Sequence, residues 1–217
     1  MGKNDRCRGR QPRRTDCRSL ELGYYLIATD ASETEVSYLN GFKDSLPAEV
    51  KDRLEIRILS GVRVNQLVKR VLEHGAYDPQ IRKNWIIFDK DQVGHFNSII
   101  EKAKQSGVNV GWSNICIEVW LMCYFENIRY FHNSTSCCQY FGNLFYRRTG
   151  IEYRKNDPCI YHHLARYGDE NMAIERAEGR YKQHLRDSEN PDDANGMNPC
   201  STVFQLIKEI RQACRPI

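Results

Sequence analysis

Four short apolar runs, each closed by polar or acidic residues and then followed by a stretch of helical period, constrain this chain more than any other feature. Tyr24-Tyr25-Leu26-Ile27-Ala28-Thr29 is the first run, and it ends in the acidic loop Asp30-Ala31-Ser32-Glu33-Thr34-Glu35. Val36, Tyr38, Leu39 and Phe42 then open an amphipathic helix. Leu54 to Leu59 is a second run, before Val64, Leu67, Val68, Val71 and Leu72 recur at helical spacing up to Gly75. Trp85-Ile86-Ile87-Phe88 is the third, closed by Asp89-Lys90-Asp91, with Phe96, Ile99, Ile100 and Ala103 forming the next helix face and Gly107 ending it. Val108 to Trp112 is the fourth, and Ser113-Asn114 leads into an apolar helix from about Cys116 to Phe125. Continuous apolar strands suit positions covered on both faces. Strands alternating with helices therefore predict an α/β fold with a parallel sheet of about four strands.

Beyond about Asn127 no further strand is expected. Tyr140 to Tyr146, Pro158 to Tyr167, Asn171 to Leu185 and Thr202 to Cys214 read as helices, with a polar linker from Asp187 to Pro199. The expected organisation is an arm over 1–19, an α/β core over 20–126, and a C-terminal helical annex over 127–217 packed on the core.

Charge separates the arm from the rest. The formal net charge is +4, but residues 1–19 carry seven basic and two acidic residues, so the body is slightly acidic. The arm is almost free of apolar residues and is expected to be disordered until it meets a ligand. Its arginines, Arg8, Arg10, Arg13 and Arg14 among them, would neutralise phosphates and release counterions, which makes nucleic acid one expected partner. A solubilising tail is the other reading of the same composition. No apolar run is long enough for a membrane span, and no signal-peptide core follows the basic start, so a cytoplasmic protein without membrane contact is expected. Nine cysteines without an export signal are expected to be reduced thiols.

In an open parallel sheet, ligands bind beyond the carboxyl ends of the strands. Three polar clusters fall there: Asp30, Glu33 and Glu35; Asp89 and Asp91; and Ser113 and Asn114 with Glu118. Asp89 and Asp91 would project to the same side if the chain stayed extended. With a carboxylate from the first loop they would suit Mg²⁺, which takes one or two carboxylates and completes its octahedron with water and phosphate oxygens. Such a site could activate water and stabilise the leaving oxygen of a phosphodiester. Asp91 reads equally as a helix N-cap, and Glu33 and Glu35 as first-turn acids favoured by the helix dipole. Neither a Rossmann nor a P-loop glycine pattern occurs. Zinc is weakly signalled: Cys159 with His162 and His163, or the adjacent Cys137 and Cys138, would need partners from elsewhere. Cys116 and Cys123 read as buried thiols on an apolar helix face.

Taken in order, these stretches resemble the RloB family, bacterial proteins found beside ATPase partners in phage-defence loci. Ile27 to Glu35 with Tyr38 is similar to the family's strand, acidic loop and aromatic helix. Ile87-Phe88-Asp89-Lys90-Asp91 with His95-Phe96 is similar to its third strand and acidic end. Ser113-Asn114-Ile115-Cys116-Ile117-Glu118-Val119-Trp120-Leu121 is close to its Ser-Asn-Pro-Cys-Phe-Glu-Leu-Trp-Leu stretch. Tyr153 to Pro158 and Asn198 to Val203 complete the series, which spans about Tyr24 to Ile210.

The resemblance implies a Toprim-like fold in which a first-loop acid and an Asp-x-Asp after the third strand hold Mg²⁺ or Mn²⁺ for phosphodiester cleavage. Carried onto this sequence, Asp30, Asp89 and Asp91 become the expected metal ligands, with Glu35, the family's loop-end glutamate, expected to cap its helix or join the metal. Lys90, Arg63, Asn114 and Glu118 are expected to bind substrate. The implied function is a nuclease of antiviral defence acting with an AAA/ABC-type ATPase. One departure bears on activity: Asp30 and Ala31 stand where the family has glutamate and glycine. The shorter side chain withdraws its carboxylate by about 1.5 Å, enough to disturb catalytic geometry. That departure also supports a second reading, a degenerate, non-catalytic module that docks on the ATPase.

Overall fold

A computed structural model describes residues 21–75, 82–91 and 93–214, so the arm and its arginines lie outside the described residues. Strand β1 (Gly23–Thr29) pairs in parallel with β2 (Leu54–Leu59) on one side and β3 (Arg82–Asp89) on the other; β4 (Asn109–Asn114) continues in parallel beside β3. A fifth strand, β5 (Cys200–Ser201), closes the edge antiparallel to β4, giving the order β2-β1-β3-β4-β5. The expected α/β class with a mostly parallel, Toprim-like sheet and C-terminal helices is what the structure has.

The strands alternate faces as their pattern requires. Tyr25, Ile27, Trp85 and Ile87 face one core layer; Tyr24, Leu26, Ala28, Ile86 and Phe88 face the other. The first layer is covered by α1 (Thr34–Asp44), α5 (Glu118–Met122), α6 (Ser134–Thr149), α7 (Ile160–Tyr167) and α9 (Val203–Ala213). The second is covered by α3 (Leu67–Gly75) and α4 (Phe96–Gln105). A short α2 (Ala48–Lys51) precedes β2, and α8 (Glu170–Asp187) packs on α9. Gly107, at φ +68°, ends the α4 region in the left-handed conformation that glycine adopts without a Cβ penalty.

Two expectations are corrected. The second half does contribute a strand: β5 is only two residues long and has no apolar run to announce it. It is held where Trp112 N donates to Thr202 Oγ1 at 3.0 Å and Thr202 N donates to Trp112 O at 2.8 Å. The apolar segment expected to be helical from Cys116 to Phe125 forms an α-helix only over Glu118–Met122, flanked by tighter turns such as Val119 N to Cys116 O and Phe125 N to Met122 O. Apart from Glu118 its side chains are apolar or thiol all round, because it is buried on every side.

Among the described residues, no helix is long and apolar enough to cross a membrane.

Candidate functional site

The chain leaves β1 to one side for β2 and then crosses to β3, so β1 and β3 bracket the point where strand order reverses. Loops diverge there and open a crevice beyond the strand ends. Asp30 follows the last residue of β1, and Asp89 ends β3. Glu35 lies in the first turn of α1 and is 8% exposed; Glu118 opens α5 and is 1% exposed. An exposed first-turn acid would be explained by the helix dipole alone, whereas Glu35 is turned inward.

These four carboxylates share one field. Burial pushes Asp30 up from the ordinary aspartate range. Burial, and then the charges of Glu118 and Asp30, push Glu35 up to about 7. Asp89 is driven well above its ordinary range, first by burial and then by Glu35 and Glu118. Asp89 Oδ2 accepts the Ile117 backbone N–H at 2.9 Å, while its Oδ1 is buried without a partner. Glu118 repeats the pattern: Oε1 accepts the Tyr153 hydroxyl at 2.9 Å and lies 4.0 Å from Lys155 Nζ, and Oε2 is buried without a partner. Buried polar atoms are nearly always hydrogen-bonded, so two orphaned carboxylate oxygens beside further acids suit a cation.

The remaining expected residues scatter around this cluster. Asp91 is exposed in the turn beyond β3, because the chain bends at Lys90, whose N–H donates to Ser113 O at 2.9 Å. The extended geometry that would have set Asp89 and Asp91 side by side is therefore lost. Lys90 Nζ donates to Asn195 O at 3.0 Å, and Asn114 Nδ2 donates to Ala194 O at 3.0 Å and Asn195 O at 3.1 Å, so both fasten the linker before β5. Arg63 is exposed on the loop after β2, which is tied to the same rim by Gly61 N to Ala31 O at 3.1 Å and Val62 N to Thr29 O at 3.2 Å. An open groove beside it is lined by Ser60, Gly61, Gln66, Lys69 and Arg70.

Sequence reasoning placed Glu118 with substrate and overlooked Lys155. The loop that carries Tyr153 and Lys155 crosses the rim, where Thr34 Oγ1 donates to Lys155 O at 2.8 Å. A second group sits behind the carboxylates: one ligand atom each from Cys116, Glu118 and Cys138 lie within 4.8 Å of one another. Among the described residues, that tight convergence is confined to these three.

Comparison with protein-family models matches residues 25–210 to the family described as RloB-like protein. No curated protein and no solved structure matches the chain. The match covers most of the sequence, and the chain belongs to the RloB-like family.

Proposed function

We propose that this RloB-like chain is a divalent-metal-dependent nuclease, hydrolysing phosphodiesters of DNA or RNA in bacterial antiviral defence beside an ATPase partner. One observation carries the reading: Asp89 and Glu118 each present a buried, unpartnered oxygen within a cluster of four carboxylates at the strand-order switch point. Acids gathered in this way destabilise the fold when ionised, unless a proton or a cation compensates them.

Asp89, Glu35 and Glu118, with Asp30 at the margin, would hold Mg²⁺ or Mn²⁺. When bound, such a cation polarises a phosphoryl oxygen and lowers the pKa of water. The chain itself supplies the surroundings. The Ile117 N–H fixes one Asp89 oxygen and leaves the other free to face the crevice. Tyr153 orients Glu118, and Lys155, whose charged form Glu118 favours, sits at the rim where an anionic backbone would arrive. Arg63 and Arg70, with Lys69 paired to Glu73 beside them, carry a net positive surface along the adjoining groove. Asp91, on its exposed turn, would meet the cation only through water.

Cleavage of plasmid DNA or tRNA by the purified chain should require Mg²⁺ or Mn²⁺ and be lost in Asp89→Asn. Cleavage that ignores chelator, or none under any condition with the partner ATPase present, would overturn the reading. The second reading, a non-catalytic docking module, is favoured by Asp30 and Ala31 in the first loop. Calorimetric titration with Mn²⁺ separates the two: binding lost in Asp89→Asn supports the enzyme, and no heat supports the module.

A further inference from the structure

We infer that Cys116, Cys138 and Glu118 form a second metal site, for a borderline-soft divalent cation of the Zn²⁺ type, behind the carboxylate cluster and sharing Glu118 with it. Their ligand atoms lie within 4.8 Å of one another. Three corners of a zinc tetrahedron with bonds of about 2.0 to 2.3 Å stand roughly 3.5 Å apart, so a shift of about an ångström closes the triangle onto an ion. Cys116 and Glu118 are 4% and 1% exposed, and Cys138 is partly exposed, which leaves a fourth position open to water from the Cys138 side.

The three residues come from two elements. Cys116 lies just before α5, Glu118 is its first residue, and Cys138 lies in α6, which packs against α5. Cys137, the neighbour of Cys138, is fully buried in the core and its thiol reaches Cys116 from that side. The cluster also contains a bare polar atom: Glu118 Oε2 is buried and has no hydrogen-bond partner, and it is the oxygen that the two sites would share. The donor chemistry selects the metal, since two thiolates favour Zn²⁺ while Mg²⁺ takes oxygen. Binding would send both thiol protons to solvent and leave two thiolates and a carboxylate on the ion. An ion in this place would staple α5 to α6.

The site does not depend on the nuclease reading, and the two are measured apart. The full chain, reduced and stripped with chelator, is titrated with Co²⁺ under anaerobic conditions. Expected are a near-ultraviolet thiolate-to-cobalt charge-transfer band and the visible bands of tetrahedral Co²⁺, saturating at one equivalent and erased by Zn²⁺. Cys138→Ser, at a partly exposed position, should weaken binding by more than the roughly tenfold that loss of an outer-shell partner costs. Asp89→Asn should leave the band in place. Cobalt bound without a charge-transfer band, a band that survives both Cys116→Ser and Cys138→Ser, or a Cys116–Cys138 disulfide that persists in reductant would each overturn the site. Zn²⁺ should also raise the melting temperature of the wild-type chain and not that of Cys138→Ser, and equal shifts would count against it.

Discussion

Glu118 and Glu170 are acids set against the same apolar core, and the fold surrounds them in opposite ways. Arg211 grips Glu170 through Nε to Oε1 at 2.6 Å and Nη2 to Oε2 at 3.1 Å, and the hydroxyls of Tyr161 and Tyr124 donate to Oε2 at 3.0 and 3.4 Å. Glu118 has one phenol, a lysine at 4.0 Å, an orphaned oxygen and three more acids nearby. The first arrangement is closed: both oxygens have donors, and α8 is tied to α9 and, through Tyr161, to α7. The second is open and waits for positive charge from outside. A fold that can satisfy one acid so fully, yet leaves another group bare, marks the bare group as a place for a ligand.

The largest test of that contrast breaks the closed arrangement. Arg211→Met leaves Glu170 half-buried and without its ion pair, and should cost about 3 kcal/mol, read by urea unfolding. A loss under about 1 kcal/mol would put Glu170 in the same class as an exposed surface pair.

Proton uptake probes the open arrangement at an intermediate size. Glu35 is pushed from its ordinary 4.5 to about 7, by burial first and then by Glu118 and Asp30. A raised carboxyl binds protons more readily in the folded state. Its share of stability is complete below about 4.5 and is lost as the pH rises through about 7. In chelator, melting at pH 8 against pH 5 should therefore reveal a loss on the order of 2 kcal/mol that Glu35→Gln removes. Excess Mg²⁺ should oppose the loss by binding the deprotonated cluster. An identical pH slope in wild type and Glu35→Gln would separate Glu35 from the cluster.

The smallest effect has the opposite sign to the first. Asp89→Asn keeps an oxygen for the Ile117 N–H while removing a carboxyl whose ionised form burial and the neighbouring acids disfavour. It should stabilise the metal-free protein by about 1 kcal/mol, by differential scanning fluorimetry, while abolishing Mn²⁺ binding. Destabilisation instead would make Asp89 a structural acid like Glu170.

Legibility in the sequence followed burial. β1, β2 and β3 announce themselves because strands covered on both faces need unbroken apolar runs. Asp30 and Asp89 were legible for the related reason that such runs end in polar residues at the rim. Asp91 misled because a two-residue spacing implies a shared side only in extended chain, and the Lys90 bend depends on a hydrogen bond to β4 that no local pattern encodes. Glu118 looked like a substrate contact because its neighbours Tyr153 and Lys155 arrive from a loop far along the chain. The juxtaposition of Cys116 with Cys138 likewise exists only through the packing of α5 on α6. β5 carries no apolar signal, since two residues suffice when Thr202 completes the pairing.

The position of β5 has a consequence for synthesis. All four carboxylates, two at the ends of β1 and β3 and two on α1 and α5, leave the ribosome before β5 does. The edge of β4 stays bare, and Asn114 lacks the carbonyls of Ala194 and Asn195, until the segment from Ala194 to Ser201 has emerged. Val203 and Phe204, just past β5, then seal the same core that holds Tyr25 and Ile87. The chain's order of emergence thus acts as a timer: the acids emerge before the segment that closes the sheet edge beside them, and the crevice reaches its final form only once Ala194 to Phe204 have joined the fold.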